Sequence, residues 1–541
     1  MKKILILLIV LISIFLRFYR LNDYPALNAD EAAIGYNAYS LIQTGRDEHG
    51  NSWPIHFQSF NDYKPGLYFY LVIPFVKSLG LNEWAVRIPG AVLGVATVLV
   101  LYFLVKEIFE DEKLALLSSF FLAISPWHIH FSRGGWEVNS ATFFITTGVL
   151  FLIRAVKNPK IYNLAFSVLA LTLSLYTYHA ARVIVPLLVF GLLFAYWKQV
   201  KQNLKLFLFA GVAALILLVP LAKDFTKGQM ASRAAGVGLF ADSGPLARIQ
   251  EQRGEHQNYQ GLVAKVLHNK AVNYGLAFAK NWLEHYEGEF LFVSGDIIQR
   301  NKVPETGQMY LLDIVFLVAG FVFIAKKSKG WAPILIWLLV APVGAALTFQ
   351  SPHALRAQNM VIPLVIISAY GLICLSALLH SLIKKKIVLD IIFLGFLVLF
   401  GWNFARYLHM YWFHMAKEYP FSSQYGVKEL VSYVEENKDK FRKIWVTDRY
   451  DQPYILFLFY TKYPPDKFQK EHTLSPRDKY GFSTVRDFDK YHFEAIDFDK
   501  IRPDTPNTLI VGTDEEIHNE ANIVKRIYGT NGYLYFEAVA N

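Results

Sequence analysis

The sequence predicts a polytopic α-helical membrane protein of about 11 transmembrane helices, N-terminus inside and C-terminus outside, with a C-terminal soluble α/β domain. Three observations lead there: an excess of apolar over charged residues, a series of apolar runs of spanning length, and Lys and Arg clusters in alternate short loops. Of 541 residues, 54% are hydrophobic and 18% charged, which is too apolar for an ordinary soluble chain. The net charge of +10 sits in short clusters between apolar runs, which argues against a nucleic-acid surface. Cys374, the single cysteine, lies inside an apolar run, so the chain has no intrachain disulfide and no cysteine-based zinc site. Trp, Tyr and Phe, at 16%, suit membrane-interface belts.

Taken in order, Lys2 and Lys3 precede an apolar run, Ile4 to Phe15, that lacks a small-residue cleavage site and so reads as an uncleaved first span. Further runs lie near residues 86–105, 114–127, 138–156, 161–178, 183–197, 206–222, 309–325, 331–349, 360–380 and 387–405. With the N-terminus inside, the cytoplasmic loops carry Lys106 and Lys113; Arg154, Lys157 and Lys160; Lys198, Lys201 and Lys205; Lys326, Lys327 and Lys329; and Lys384 to Lys386. This alternation puts residues 20–83, 128–137, 223–307 and 350–359 outside, with everything after about residue 408. Residues 1–408 thus form a transmembrane domain with long outer loops 20–83 and 223–307, and residues 415–541 an extracytoplasmic α/β domain. In the latter, Gly426 to Asn437 reads as an amphipathic helix, and Lys443 to Thr447, Thr508 to Gly512 and Tyr533 to Val539 read as strands.

The outer loops are polar, irregular and rich in His, Trp and Arg, so the working face is the outer one. Directly after the first span, Asn28 to Tyr36 opens a helix with Ile34, Ala38, Leu41 and Ile42 on one face, suited to lie along a membrane surface. Asn28 and Glu31 have the spacing of a capping box. Asp30 has no such local partner; it is either a first-turn acid complementing the helix dipole or a general base for an acceptor hydroxyl. Farther on, Pro65 suits the start of a helix, and Lys64 before it stands beside a positive helix end that attracts phosphate, unless it only snorkels to headgroups.

The order Asp30-Glu31, Lys64-Pro65-Gly66, Arg87 and Ser132-Arg133 resembles the dolichyl- or polyprenyl-phosphate-mannose protein mannosyltransferases and the bacterial lipid A aminoarabinose transferases of the C-type membrane glycosyltransferase superfamily. The resemblance is clearest over residues 1–200 and returns weakly at 350–372. It implies a sugar transferred from a polyprenyl-phosphate donor, with Asp30 as catalytic base and Lys64 on the lipid phosphate. Two departures are Gly66, where bacterial relatives often have a second proline, and Glu137, where an aspartate is common.

Other outer-face candidates follow from charge. Residues 126–137 hold Arg133 for a phosphate and Glu137 for proton handling, with His128 and His130 as potential metal ligands lacking a firm third partner. His179 and Arg182, and His353 and Arg356, repeat a His-to-Arg spacing at outer span ends; converging arginines there would stabilise a departing phosphate. The loop 223–307, with Arg233 and the run Glu284 to Glu289, is long enough to cover a cavity or guide an acceptor. No phosphate loop, dinucleotide fingerprint or Gly-x-Ser-x-Gly turn is present. Asp487-Phe488-Asp489 and Asp497-Phe498-Asp499 read as solvated turns rather than a nucleotide-sugar metal motif.

The combined expectation is a cell-membrane, multi-pass enzyme, active on the extracytoplasmic side, that moves a hexose or pentose with inversion from a polyprenyl-phosphate donor to a hydroxyl of a protein, lipid or glycan acceptor. It requires no cofactor, leaves room for a divalent cation, and assigns catalysis to Asp30 and Glu31, donor phosphate to Lys64, Arg133, Arg182 and Arg356, and supporting roles to Glu137, His179 and His353. The C-terminal domain is expected to recognise the acceptor. The rival expectation is a transporter or flippase of a lipid-linked sugar, which the lack of paired halves disfavours.

Overall fold

A computed structural model describes residues 2–60, 62–226, 236–327, 329–420, 422, 424–476, 483–518 and 521–541. The chain forms two compact units: Met1–Arg17, Val92–Ser132 and Glu137–Leu408 in one, and Phe18–Ala91, Arg133–Trp136 and His409–Asn541 in the other.

The first unit is helical and apolar. Among the described residues, five helices are long and apolar enough to cross a membrane: Glu83–Phe109, Glu137–Lys157, Leu204–Phe225, Gln358–Leu382 and Lys386–Glu418. A sixth candidate joins Glu112–Ile124 to Pro126–Ser132 across a 57° bend. Several runs that sequence windows count as spans are shorter helices, among them Ile161–Thr177 and Ala181–Ala195. The run 331–349 divides into Ala332–Val340 and Val343–Ala346 around Pro342, which cannot supply a backbone donor. A membrane protein with five or six such helices and a C-terminal sheet region is what the molecule shows.

The bend at Ser125 exposes backbone carbonyls that need donors. Arg17, fully buried, supplies them: its guanidinium donates to Ala123 O at 3.0 Å and Leu122 O at 3.3 Å, and lies 2.7 Å from His128 Nδ1. Close helix crossing relies on glycine elsewhere. A Cβ on Gly371 would sit 1.8 Å from Phe316 O, and one on Gly320 2.5 Å from Ile367 O. The loop 223–307 is largely structured, with helices Gly244–Gly254, Leu262–Leu267 and Lys270–Glu284; Arg233 lies outside the described residues.

The second unit carries a seven-stranded sheet in the order β4-β5-β6-β3-β7-β9-β8. Its strands are β3 (Lys443–Val446), β4 (Thr473–Leu474), β5 (Val485–Phe488), β6 (Tyr491–Phe493), β7 (Thr508–Gly512), β8 (Ile523–Tyr528) and β9 (Leu534–Ala540). The central β3 pairs in parallel with β6 and β7, and β7 is buried along its whole length, as a covered central strand must be. Helix Val427–Asn437 turns Val427, Leu430, Val431 and Val434 inward. The two Asp-Phe-Asp runs bury Phe488 and Phe498 and place Asp489 at a left-handed turn and Asp497 ahead of helix Phe498–Asp504.

The same unit contains residues 18–91, which share one core with the sheet. Helix Ala29–Thr44 is buried on nearly all sides, not on one face as an interfacial helix would be. It contacts helices Leu67–Leu79 and Pro453–Thr461, and a Cβ on Gly35 would meet Phe459 at 2.6 Å and Val86 at 2.7 Å. Tyr36 donates to Tyr463 O at 3.0 Å, and Gln424 joins the helix start to the sheet side by accepting from Ala29 N at 2.6 Å while donating to Asp451 O at 2.7 Å.

Candidate active site

Helix Ala29–Thr44 begins with the predicted capping box: Asn28 accepts from Glu31 N at 3.0 Å, and Glu31 Oε2 accepts from Asn28 N at 3.3 Å. Glu31, 1% exposed, does more than cap. It takes Arg87 side-on, with Oε1 to Nε and Oε2 to Nη2 both at 2.7 Å, and Oε1 also accepts from Gly135 N at 2.8 Å. Arg87 spends its remaining donors on the carbonyls of Leu21 and Pro25, both at 2.9 Å, and Ala26 at 3.2 Å. A buried carboxylate with every lone pair committed to one guanidinium and local amides is an organiser of the loop. Glu31, expected to share catalysis with Asp30, is placed by that geometry in a buried pair with Arg87.

Asp30 points elsewhere. Its carboxylate pairs with Lys64 and remains 24% exposed, while the Lys64 side chain is 11% exposed. Lys64 stands on the second strand of a hairpin, β1 (His56–Ser59) with β2 (Asp62–Pro65), directly opposite Phe57. Its amine lies 5.1 Å over the Phe60 ring, a favourable face for a cation. Pro65 closes the strand, and Gly66 rather than Pro65 caps helix Leu67–Leu79. Gly66 is dictated by space: a Cβ there would sit 2.7 Å from Ile55 O and 2.9 Å from Phe57. The hairpin therefore brings a lysine 34 residues away onto Asp30, leaving one partly exposed carboxylate beside one partly buried cation.

Arg133 is the residue of the outer segment 126–137 expected on the donor phosphate. It is fully buried, with Nε donating to Tyr411 Oη at 3.0 Å and Nη2 to Tyr19 O at 2.7 Å and Tyr24 O at 3.2 Å, and the group stacks 4.5 Å over Trp412.

The remaining candidates belong to the helical unit. Arg182 turns Nη1 to His179 Nδ1 at 3.1 Å and Nε to Leu175 O at 3.1 Å, and lies 5.1 Å over Phe225. Arg356 donates to Thr348 Oγ1 at 2.6 Å. Helix Val343–Ala346, before the Arg356 segment, approaches the other one, since a Cβ on Gly344 would lie 3.0 Å from Ala180. His353 is held by residues that sequence reasoning did not single out for it. Its backbone N–H donates to His285 Nε2 at 3.1 Å, and the next amide, Ala354 N, donates to buried Asp296 at 2.6 Å. Glu137 heads helix Glu137–Lys157, where a carboxylate complements the dipole. His130 Nε2 lies 2.9 Å from Arg300 O, and among the described residues no group of three or more His, Cys, Asp or Glu is placed to hold a metal ion.

Apolar helices, a sheet-bearing unit and an acid-lysine pair at the start of helix Ala29–Thr44 describe a membrane protein resembling the C-type glycosyltransferases. Residues 63–222 match the family model described as dolichyl-phosphate-mannose-protein mannosyltransferase. An uncharacterised protein of Aquifex aeolicus is 26% identical over 220 residues, 40% of this chain and 42% of its own length. A Bacillus subtilis protein provisionally named a mannosyltransferase is 29% identical over 132 residues, 24% of this chain and 19% of its own. The chain thus spans less than half the length of these relatives. The fold is shared with ArnT from Cupriavidus metallidurans bound to undecaprenyl phosphate, at TM-score 0.55 and 11% identity over 98% of this chain and 97% of that one. It is also shared with the archaeal oligosaccharyltransferase AglB from Archaeoglobus fulgidus, solved with an inhibitory peptide and a dolichol-phosphate, at TM-score 0.51 and 13% identity over 85% and 63%.

Proposed function

We propose that the chain is a polyprenyl-phosphate-sugar-dependent glycosyltransferase, spanning the membrane about 11 times with its active site on the extracytoplasmic side. The observation that carries this reading is the Asp30 carboxylate paired with Lys64 at the exposed edge of a capped, buried helix. Two features support the donor class: a mannosyltransferase family match that begins at residue 63, and a fold shared with a protein solved with undecaprenyl phosphate.

In the proposed reaction the acceptor hydroxyl attacks the anomeric carbon as the bond to the lipid phosphate breaks, inverting that carbon. Asp30 takes the hydroxyl proton, and Lys64 exchanges part of its attraction to Asp30 for the phosphate oxygen that gains charge. Arg182 and Arg356 are proposed donor-phosphate contacts on the strength of their charge and their places at helix ends, with His179 orienting Arg182. No metal enters this scheme. The sugar is a hexose or pentose, and the acceptor a hydroxyl of protein, lipid or glycan.

The test is sugar release from a panel of labelled polyprenyl-phosphate sugars in membranes carrying the wild type or Asp30→Asn at matched expression. Turnover that collapses in the variant supports the reading. Equal turnover in both removes Asp30 from the chemistry.

A further inference from the structure

Helix Lys270–Glu284, in the loop 223–307, is amphipathic, but it is turned the wrong way for a segment in water. Its polar groups face the protein. Asn281, 9% exposed, donates to Thr348 O at 2.9 Å, the buried Tyr274 hydroxyl donates to Asp242 O at 3.2 Å, and Asn273 is buried with them. Its large aliphatic residues face outward: Val272, Leu276 and Leu283 recur at helical spacing, and Leu276 is 63% exposed. The preceding helix, Leu262–Leu267, repeats the pattern by burying Ala264 and exposing Val263, Val266 and Leu262, the last of these 79% exposed. Only His268 and Asn269 separate the two helices. Apolar surface of this extent marks a face that something covers.

Two observations select lipid as the cover. The first is continuity with an apolar helix of this membrane protein. Trp282 Nε1 donates to Leu339 O at 2.9 Å, and the Tyr286 hydroxyl donates to Leu338 O at 2.8 Å. Pro342 has no N–H to pair with Leu338 O inside helix Ala332–Val340, so the tyrosine takes the place of a helical donor. Leu339 is itself exposed, which sets the outward face of helix Lys270–Glu284 beside another apolar surface. Trp and Tyr are also the residues that favour the level where hydrocarbon meets headgroups. The second observation is charge at the edge of the patch. Lys280, its side chain 76% exposed, neighbours both Leu276 and Leu283 on the helix surface, and exposed Lys265 precedes Val266. Lysines so placed lay their methylenes on hydrocarbon and their amines on headgroup phosphates.

We propose that residues 262–283 are a lipid-binding surface seated in the bilayer interface, with the outward aliphatic side chains among the acyl chains and Lys265 and Lys280 at headgroup phosphates. Part of the loop 223–307 is then in the membrane rather than above it. The inference does not depend on which reaction the protein performs. It also ties the bilayer to the segment that carries His353 and Arg356, because the polar side of the same helix and its cap residue hold that segment. Asn281 O accepts from Ser351 Oγ at 3.0 Å, and His285 Nε2 accepts from His353 N at 3.1 Å.

The experiment uses the full chain in nanodiscs of phosphatidylethanolamine with a minority of phosphatidylglycerol. In a Cys374→Ser background, the single variants Leu262→Cys, Leu276→Cys, Leu283→Cys and Gln257→Cys each carry a nitroxide label, and Gln257, an exposed polar residue of the same loop, serves as the aqueous reference. Collisions with oxygen, which concentrates in hydrocarbon, are compared with collisions with a water-soluble nickel chelate. At positions 262, 276 and 283 oxygen is expected to relax the label severalfold more than the chelate does, with the ratio reversed at position 257. Where a labelled variant does not accumulate, Val266→Cys and Val272→Cys probe the same two helices. Chelate access at positions 276 and 283 equal to that at position 257 means that the face meets water, and overturns the proposal. Shielding from both reagents means that protein covers the face, whether a second copy or another chain, and overturns it equally.

Discussion

Two adjacent acids, Asp30 and Glu31, leave the same helical turn in opposite environments, and their substitutions should fail in different ways. Asp30→Asn removes a partly exposed carboxylate, so the protein is expected to fold normally while kcat falls about a hundredfold or more with little change in donor KM. Steady-state kinetics beside an unchanged melting profile check it. Glu31→Gln strands the Arg87 guanidinium in the interior, and a broken buried pair costs about 3–5 kcal/mol. Denaturant unfolding should register that loss, with activity following the fold. Lys64→Gln is expected to lower kcat as well as kcat/KM, because the lysine meets charge that grows as the phosphate departs; the same kinetics check it. Chelator treatment addresses the metal-free scheme: turnover should persist in EDTA, and a loss restored by a divalent cation would place an ion in the site.

At the scale of elements, position comes from close approach as much as from charge. The hairpin that presents Lys64 turns into helix Leu67–Leu79 at Gly66, where the Ile55 carbonyl leaves no room for a side chain. In the apolar unit, helices Asp313–Lys326 and Val361–Leu382 cross with Gly371 against Phe316 O. Small residues of this kind let membrane helices pack backbone to backbone. Gly371→Val should therefore lower the melting temperature and the folded yield in detergent, at a cost of about 1–3 kcal/mol or more. A normal melting profile for this variant would mean that the crossing relaxes freely.

For the whole molecule, residues 18–91 and the C-terminal region form one unit with one core. Acceptor recognition by residues 415–541 is thus entangled with support of the candidate site, because Gln424, Phe459 and Tyr463 all touch helix Ala29–Thr44. Deleting 415–541 is expected to abolish turnover on every acceptor and to expose residues 29–44 to limited proteolysis. A deletion that stays active with altered acceptor choice would instead make the region a separable recognition module.

Much of this was legible from the chain. Apolar excess defined a membrane protein, the Asn28 to Glu31 spacing defined a cap, and short-range periodicity located helix Val427–Asn437 and strands β3, β7 and β9, because each signal is carried by neighbours in sequence. The long polar loops, the Lys64-Pro65-Gly66 run and Asp30 were visible as candidates for the same reason. Only tertiary structure decided that Glu31 is tied to Arg87, that Arg133 is buried over Trp412, and that Asp296 and His285 hold the His353 loop. Each of these turns on residues brought together across the fold or on burial at one atom, and neither periodicity nor composition records which distant surfaces meet.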